Sequence, residues 1–178
     1  MSVSVELYPY AAFSALVIRA RSAAIGFSSL EQPQADWRPH LTLLIADEMD
    51  RQRGVDVERA IAAEIAAIPV TFSRLAAFGS DPDHVFLAPN PNPELDRAHW
   101  LVHDRLGPEA KELWPNYVAN RWIPHVMIVE HVPTSQLEAA LAAVRESLPP
   151  LPLAATIEEI GLVDYPPLER VAVFPLQG

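Results

Sequence analysis

The chain has no cysteine, only six glycines, and thirteen Lys and Arg against twenty-three Asp and Glu, a formal charge of −10 over 178 residues. Without thiols there is no disulfide scaffold, Cys-ligated zinc, iron–sulfur cluster or thiol nucleophile. The shortage of basic residues sets a pI near 4.9. An acidic surface repels polyanions, so broad coating of DNA or long RNA is disfavoured, while a small phosphate in one local pocket is not. Long apolar runs are missing as well. Residues 11–20 are apolar but far short of the ~20 residues of a membrane span, and Arg19 and Arg21 interrupt the stretch. Residues 1–10 lack the basic start and apolar core of a secretory signal. The expectation is a soluble, cytoplasmic protein with no membrane partner.

What is present favours a packed core. Half of the residues are hydrophobic and the mean hydropathy is +0.10, enough apolar surface to offset chain entropy. The length suits one domain, or two small halves sharing a core. Eighteen prolines, about twice average usage, act as punctuation between periodic segments.

Residues 2–8 alternate, with Val3, Val5 and Leu7 on one face and Ser4 and Glu6 on the other, which predicts a strand. A helix follows over residues 9–25, with Phe13, Val17, Ala20 and Ala24 at helical steps and Gly26 as its stop. Residues 37–46 read as a strand. A helix capped by Asp56 carries Val57, Ile61, Ile65 and Ile68 on one face and ends before Pro69. Two short strands, 70–78 and 84–88, flank a turn-forming Gly-Ser-Asp-Pro. The second half repeats helix, strand, helix, strand, strand. Asn92 caps a helix with Pro93 at its first position, residues 122–130 form a strand, and Ser135 with Glu138 is a candidate capping box. Residues 154–163 and 170–176 supply two last strands. Strands alternating with helices imply an α/β or α+β fold.

That parse contains a repeat. Residues 37–44 read Trp-Arg-Pro-His-Leu-Thr-Leu-Leu and residues 122–129 read Trp-Ile-Pro-His-Val-Met-Ile-Val. Each octad follows a helix and a loop and precedes a loop, an amphipathic helix and two strands, so the two mark equivalent places in two halves. In a strand, residues i and i+2 share a face. His40 therefore shares a face with Thr42, and His125 with Met127, while Trp37 and Trp122 turn away into the core. If the halves pack about an approximate two-fold axis, the imidazoles meet across a groove. Rings that titrate near pH 6.5 can serve there as general base and general acid on opposite sides of one phosphorus. A hydroxyl two residues on can hold a phosphate oxygen for in-line attack, and no metal or other cofactor is required.

The paired octads and the β-α-β-α-β-β order of each half resemble the 2H phosphoesterase superfamily, which includes the 2′-5′ RNA ligases and cyclic phosphodiesterases. Its signature is two His-x-Thr/Ser motifs. The resemblance implies one bilobal domain over 1–178, with halves near 1–90 and 91–178 and a central V-shaped cleft. It implies catalytic His40 and His125, Thr42 as the first motif's hydroxyl, and substrates with a 2′,3′-cyclic phosphate or 2′-5′ phosphodiester on a nucleotide or short RNA. His125 is assigned as the base and His40 as the acid. The departure is Met127, where the family has Thr or Ser; a thioether donates no hydrogen bond. Arg38 and Arg121 are the candidate replacement donors. The alternative reading is a non-catalytic nucleotide-binding relative that lost turnover through Met127.

Other residues carry weaker signals. His99 and His103, at i and i+4 of a helix, have metal-ligand spacing but no matching acidic ligands, and are read as a solvated helix face with no metal bound. His131 reads as a strand-end surface residue. Tyr117, Trp100, Phe86 and Tyr165 are possible base-stacking residues that nothing ranks above packing residues.

Overall fold

A computed structural model describes residues 2–30 and 37–178. Strand β1 (Ser2–Pro9) buries Val3, Val5 and Leu7 completely, as its alternation requires. Helix α1 (Ala11–Ala24) buries Phe13, Val17, Ala20 and Ala24 on one stripe. Strand β2 (Leu41–Met49) leads into helix α2 (Arg51–Ala62), and the antiparallel pair β3 (Ile68–Ala77) and β4 (Asp83–Pro89) follows. Helix α3 (Pro93–Leu106) starts as the sequence indicates: the Asn92 side chain accepts from the amides of Glu94 at 3.0 Å and Leu95 at 3.1 Å. Beyond it come β5 (Ala110–Leu113), β6 (Val126–Val132), α4 (Leu137–Ser147), β7 (Leu153–Tyr165) and β8 (Glu169–Pro175).

Several local expectations are corrected. Helix α2 begins well before Asp56, with Asp50 as its cap; the carboxylate accepts from the Arg53 amide at 2.8 Å. Gly54 therefore lies inside the helix, where it is ordinarily unfavourable. Close packing accounts for it: a Cβ there would stand 3.0 Å from Leu162 and 3.1 Å from the Met49 sulfur. The Ser135–Glu138 capping box does not form, because one 3₁₀ turn, Thr134–Gln136, precedes α4 and no side chain caps it. Strands β2 and β6 start at Leu41 and Val126, later than read from the sequence. Pro39 and Pro124 have no N–H for a ladder, so pairing begins only beyond each histidine.

Every pairing between the named strands is antiparallel, which places the fold in the α+β class. The sheet order is β5-β2-β1-β7-β3-β4-β6, with β8 on β7. The order is symmetric about the β7–β3 junction: β2, β1 and β7 on one side match β6, β4 and β3 on the other. With the short β5 left aside, the matched strands belong to the chain orders β1-α1-β2-α2-β3 and β4-α3-β6-α4-β7, and the last strand of each order lies beside the first strand of the other. Helix α1 packs on α4, and α2 on α3. The helices cover one sheet face, while Ser4, Glu6 and Thr42 of the other face line an open cleft.

Candidate active site

The cleft has a volume of about 600 Å³, and His40 and His125 both line it. Each stands immediately before its strand, β2 or β6, in the irregular turn that Pro39 or Pro124 imposes. In both, Nδ1 lies 2.7 Å from the carbonyl oxygen two residues back, that of Arg38 for His40 and of Ile123 for His125. A carbonyl only accepts, so Nδ1 carries the proton and donates it, and in the neutral ring Nε2 is the free base. The repeated Pro-His thus fixes the same tautomer in both repeats. His125 is held below the ordinary imidazole range, first by burial and also by the positive charge that His40 and His84 can carry; its bond to the Ile123 carbonyl opposes this. The charge on the His40 ring is thus felt at His125.

The surroundings of the two rings differ. Glu6, 6% exposed, stands with Oε2 3.5 Å from His40 Nδ1. Its carboxylate accepts from the Ser4 hydroxyl at 2.8 Å and the Tyr8 hydroxyl at 2.9 Å. Tyr8 is consequently pushed far above the ordinary phenol range, by burial first and then by the Glu6 charge. On the other side the Phe86 ring lies 5.3 Å from the His125 ring, and Phe78 meets that ring edge-on at 5.2 Å. Register relates the two settings: Glu6 pairs with Thr42 between β1 and β2, and Phe86 pairs with Met127 between β4 and β6. One repeat contributes a carboxylate and a hydroxyl where the other contributes a phenyl ring and a thioether.

Thr42, Met127 and Arg121 line the cleft. Arg38 does not: its guanidinium pairs with Glu159 and lies 4.3 Å over the Tyr8 ring, and what it offers His40 directly is its backbone carbonyl. Trp37 lies in the cleft wall rather than in the core, 6.5 Å from the His40 ring and with the Arg21 guanidinium 4.3 Å beneath it. Strand parity does not apply to it, since it precedes β2. Trp122 is packed as expected, its indole N–H donating to the Thr42 carbonyl at 2.9 Å. Of the possible stacking residues, Tyr117 and Tyr165 line the cleft; Phe86 lies buried beside His125, and Trp100 is outside the cleft on α3.

Sequence reasoning missed Glu6, Phe78, His84 and Glu130 as lining residues. The signal for Glu6 was available: alternation put Ser4 and Glu6 on the polar face of the first strand, and only the β1–β2 pairing was needed to place that face beside His40. His84 is held below its ordinary range mainly by burial, and its ring lies 5.2 Å from that of His131, which has a left-handed φ of 53° at the end of β6. His99 and His103 are not a solvated face. His99 is 3% exposed, stacks on Trp122 at 4.1 Å and donates from Nε2 to the Tyr117 carbonyl at 2.7 Å; His103 Nε2 lies 3.1 Å from the Leu43 carbonyl. Among the described residues no group of three or more His, Asp or Glu is placed to hold a metal ion, and no helix is long and apolar enough to cross a membrane.

Comparison with known proteins bears on the fold and the family. A Geobacillus sp. (strain WCH70) protein named "Putative phosphoesterase" is 30% identical over 101 residues, 55% of this chain and 54% of that protein, so the match spans about half the length of each. Among solved structures, TT0787 of Thermus thermophilus superposes over 100% of this chain and 99% of its own, with a TM-score of 0.65 and 17% identity. E. coli LigT complexed with 3′-AMP covers 99% and 98%, with a TM-score of 0.61 and 14% identity. Kluyveromyces marxianus Usb1 with uridine monophosphate covers 99% and 98%, with a TM-score of 0.52 and 12% identity. These likenesses establish the shared fold. The model of the 2′-5′ RNA ligase superfamily matches residues 11–167, nearly the whole chain, and the protein belongs to that superfamily of 2H phosphoesterases.

Proposed function

We propose that this protein is a cytoplasmic phosphoesterase, one bilobal unit over 1–178, that opens a 2′,3′-cyclic phosphate or cleaves a 2′-5′ phosphodiester of a nucleotide or short RNA. The observation that carries the reading is the pair of cleft histidines with matching Nδ1–carbonyl bonds, each left with Nε2 as its working nitrogen. Water attacks phosphorus while Nε2 of neutral His125 takes its proton. The bond from phosphorus to the ribose oxygen breaks, and that oxygen takes the proton from Nε2 of the His40 imidazolium. Proton exchange with solvent then restores both rings. His125, held below its ordinary range, suits the base, and positioned acid and base each contribute on the order of 10²–10⁴-fold.

The Thr42 hydroxyl and the Arg121 guanidinium are the proposed donors to the non-bridging oxygens. Met127 supplies none. Two carboxylates, Glu6 and Glu130, share the lining with Arg121, which favours a ligand with one phosphate over a polyanion. Solved relatives of this fold complexed with 3′-AMP and uridine monophosphate support a nucleotide as ligand.

The test is incubation of the purified protein with 2′,3′-cyclic nucleotides in the presence of EDTA. Turnover to a nucleotide monophosphate is the expected result. Binding without turnover supports a nucleotide-binding relative instead, and activity abolished by EDTA contradicts the two-imidazole mechanism.

A further inference from the structure

The two repeats give their histidines the same Nδ1–carbonyl bond, yet among the described residues only His40 of the two has a carboxylate beside it. His40 has Glu6 at 3.5 Å; the place that register assigns to Glu6 in the second repeat is occupied by Phe86, against His125. Glu6 is not there for want of an alternative partner or as a solvated strand residue. It is 6% exposed, and its carboxylate is pinned by two hydroxyls of its own strand, Ser4 and Tyr8. Gly161, opposite Glu6 on β7, makes room for this arrangement: a Cβ there would lie 2.7 Å from the Tyr8 ring.

We propose that Glu6 is the positioning residue that makes the duplicated histidines unequal, holding His40 as the proton donor while the apolar Phe86–Met127 pair leaves His125 as the base. The inference rests on the acid and base roles proposed above and adds the residue that sets their direction. A carboxylate at this distance stabilises an imidazolium, and because Nδ1 faces the Arg38 carbonyl and Glu6, the transferable proton is the one on Nε2. Glu6 takes no proton in the reaction; its charge compensates that of the His40 ring until Nε2 gives its proton to the leaving oxygen.

Other charged and titratable groups bear on this pair from every side. From β1 comes Tyr8, whose ring is 6.3 Å from that of His40. From the preceding loop comes Arg38, neutralised by Glu159 of β7. From the segment before β6 come His125, coupled electrostatically to His40, and Tyr117, coupled to Glu6. From α2 comes Glu58, whose carboxyl is pushed up to about 9 by burial and by Glu6, and so is neutral at pH 7. Glu6, not Glu58, is therefore the carboxylate that stands beside the His40 ring.

The test is Glu6→Gln, which preserves shape and keeps an acceptor for one of the two hydroxyls, while its amide N–H2 can donate to the oxygen of the other. With 2′,3′-cyclic AMP, whose ribose oxygen needs a proton to leave, kcat is expected to fall about 10- to 100-fold with KM within about twofold. With a p-nitrophenyl nucleotide phosphodiester, whose leaving group departs without a proton, the loss is expected to stay within about threefold. Equal losses on the two substrates, or none, overturn the assignment. A substrate-free measurement separates this from failure of the proposed function. In ring ¹⁵N spectra across pH 5–9, the His40 imidazolium should give way at lower pH in Glu6→Gln than in the wild type, with a smaller change at His125. A His40 ring that titrates alike in both overturns the role of Glu6 whatever the protein hydrolyses, whereas a moved His40 with no wild-type turnover counts against the phosphoesterase reading alone.

Discussion

Met127 on β6 lies directly across the strand pair from Phe86 on β4, as Thr42 on β2 lies across from Glu6 on β1. The family's second hydroxyl is thus missing from a neighbourhood that has become apolar in more than one residue. Met127→Thr restores a donor on the cleft wall. Removing one donor from an oxyanion site costs about 10²–10³-fold in rate, and Arg121 lines the same cleft, so the gain expected from restoring one is smaller, about tenfold in kcat on a cyclic phosphodiester. An unchanged or lower rate in steady-state assays contradicts the clamp argument.

Gly161 is a packing requirement of the site. A methyl group there would meet the Tyr8 ring at 2.7 Å and the Ala172 carbonyl oxygen at 3.1 Å, and Tyr8 is a rigid ring only 1% exposed. Gly161→Ala should cost about 1–3 kcal/mol, the usual cost of overpacking. It should also lower turnover by displacing the Tyr8–Glu6 hydrogen bond. Urea unfolding and kcat check the two effects; full stability with full activity contradicts the account.

Glu58 gives stability a dependence on alkaline pH. Burial, then the Glu6 charge, push its carboxyl up to about 9, against a contribution from the Leu162 backbone. A raised folded value means that the stabilising contribution is complete below the ordinary 4.5 or so and is lost as pH rises toward about 9, because the unfolded chain ionises first. Glu58→Gln should therefore narrow the difference in unfolding free energy between about pH 5 and pH 8, by an amount on the order of a few kcal/mol. An identical pH slope in wild type and variant contradicts this.

His99 acts in the opposite direction. Burial pushes it down to about 4, with the bond to the Tyr117 carbonyl opposing. A depressed imidazole contributes fully above its ordinary 6.5 or so, and the contribution is lost as pH falls toward about 4, because the unfolded chain takes the proton first. Urea midpoints measured at about pH 7.5 and pH 4.5 should converge in His99→Phe relative to the wild type. An equal spread contradicts the assignment.

Much of this architecture was legible in the sequence, because it rests on periodicity and on one repeated octad. Alternation found β1, and helical steps found α1 and α3, since those segments bury one clean face. The octads found the two histidines because Pro-His sets up the same local turn twice. What was not legible came from pairing between distant strands. Glu6 and Phe86 become neighbours of His40 and His125 only once β1 meets β2 and β4 meets β6, contacts that no local pattern encodes. Trp37 was misplaced for a related reason: two-residue parity was extended through Pro39, where the chain is not yet a strand. His99 was misread because its stacking partner, Trp122, comes from another segment of the chain.

The central claim is that His40 and His125 act on one phosphate. Ring ¹⁵N spectra recorded during titration with adenosine 2′-monophosphate test it most directly. The account predicts that both ring signals move together and fit a single dissociation constant, and that His40→Ala and His125→Ala each abolish cyclic nucleotide turnover. Movement of only one ring, or separate constants for the two, contradicts it.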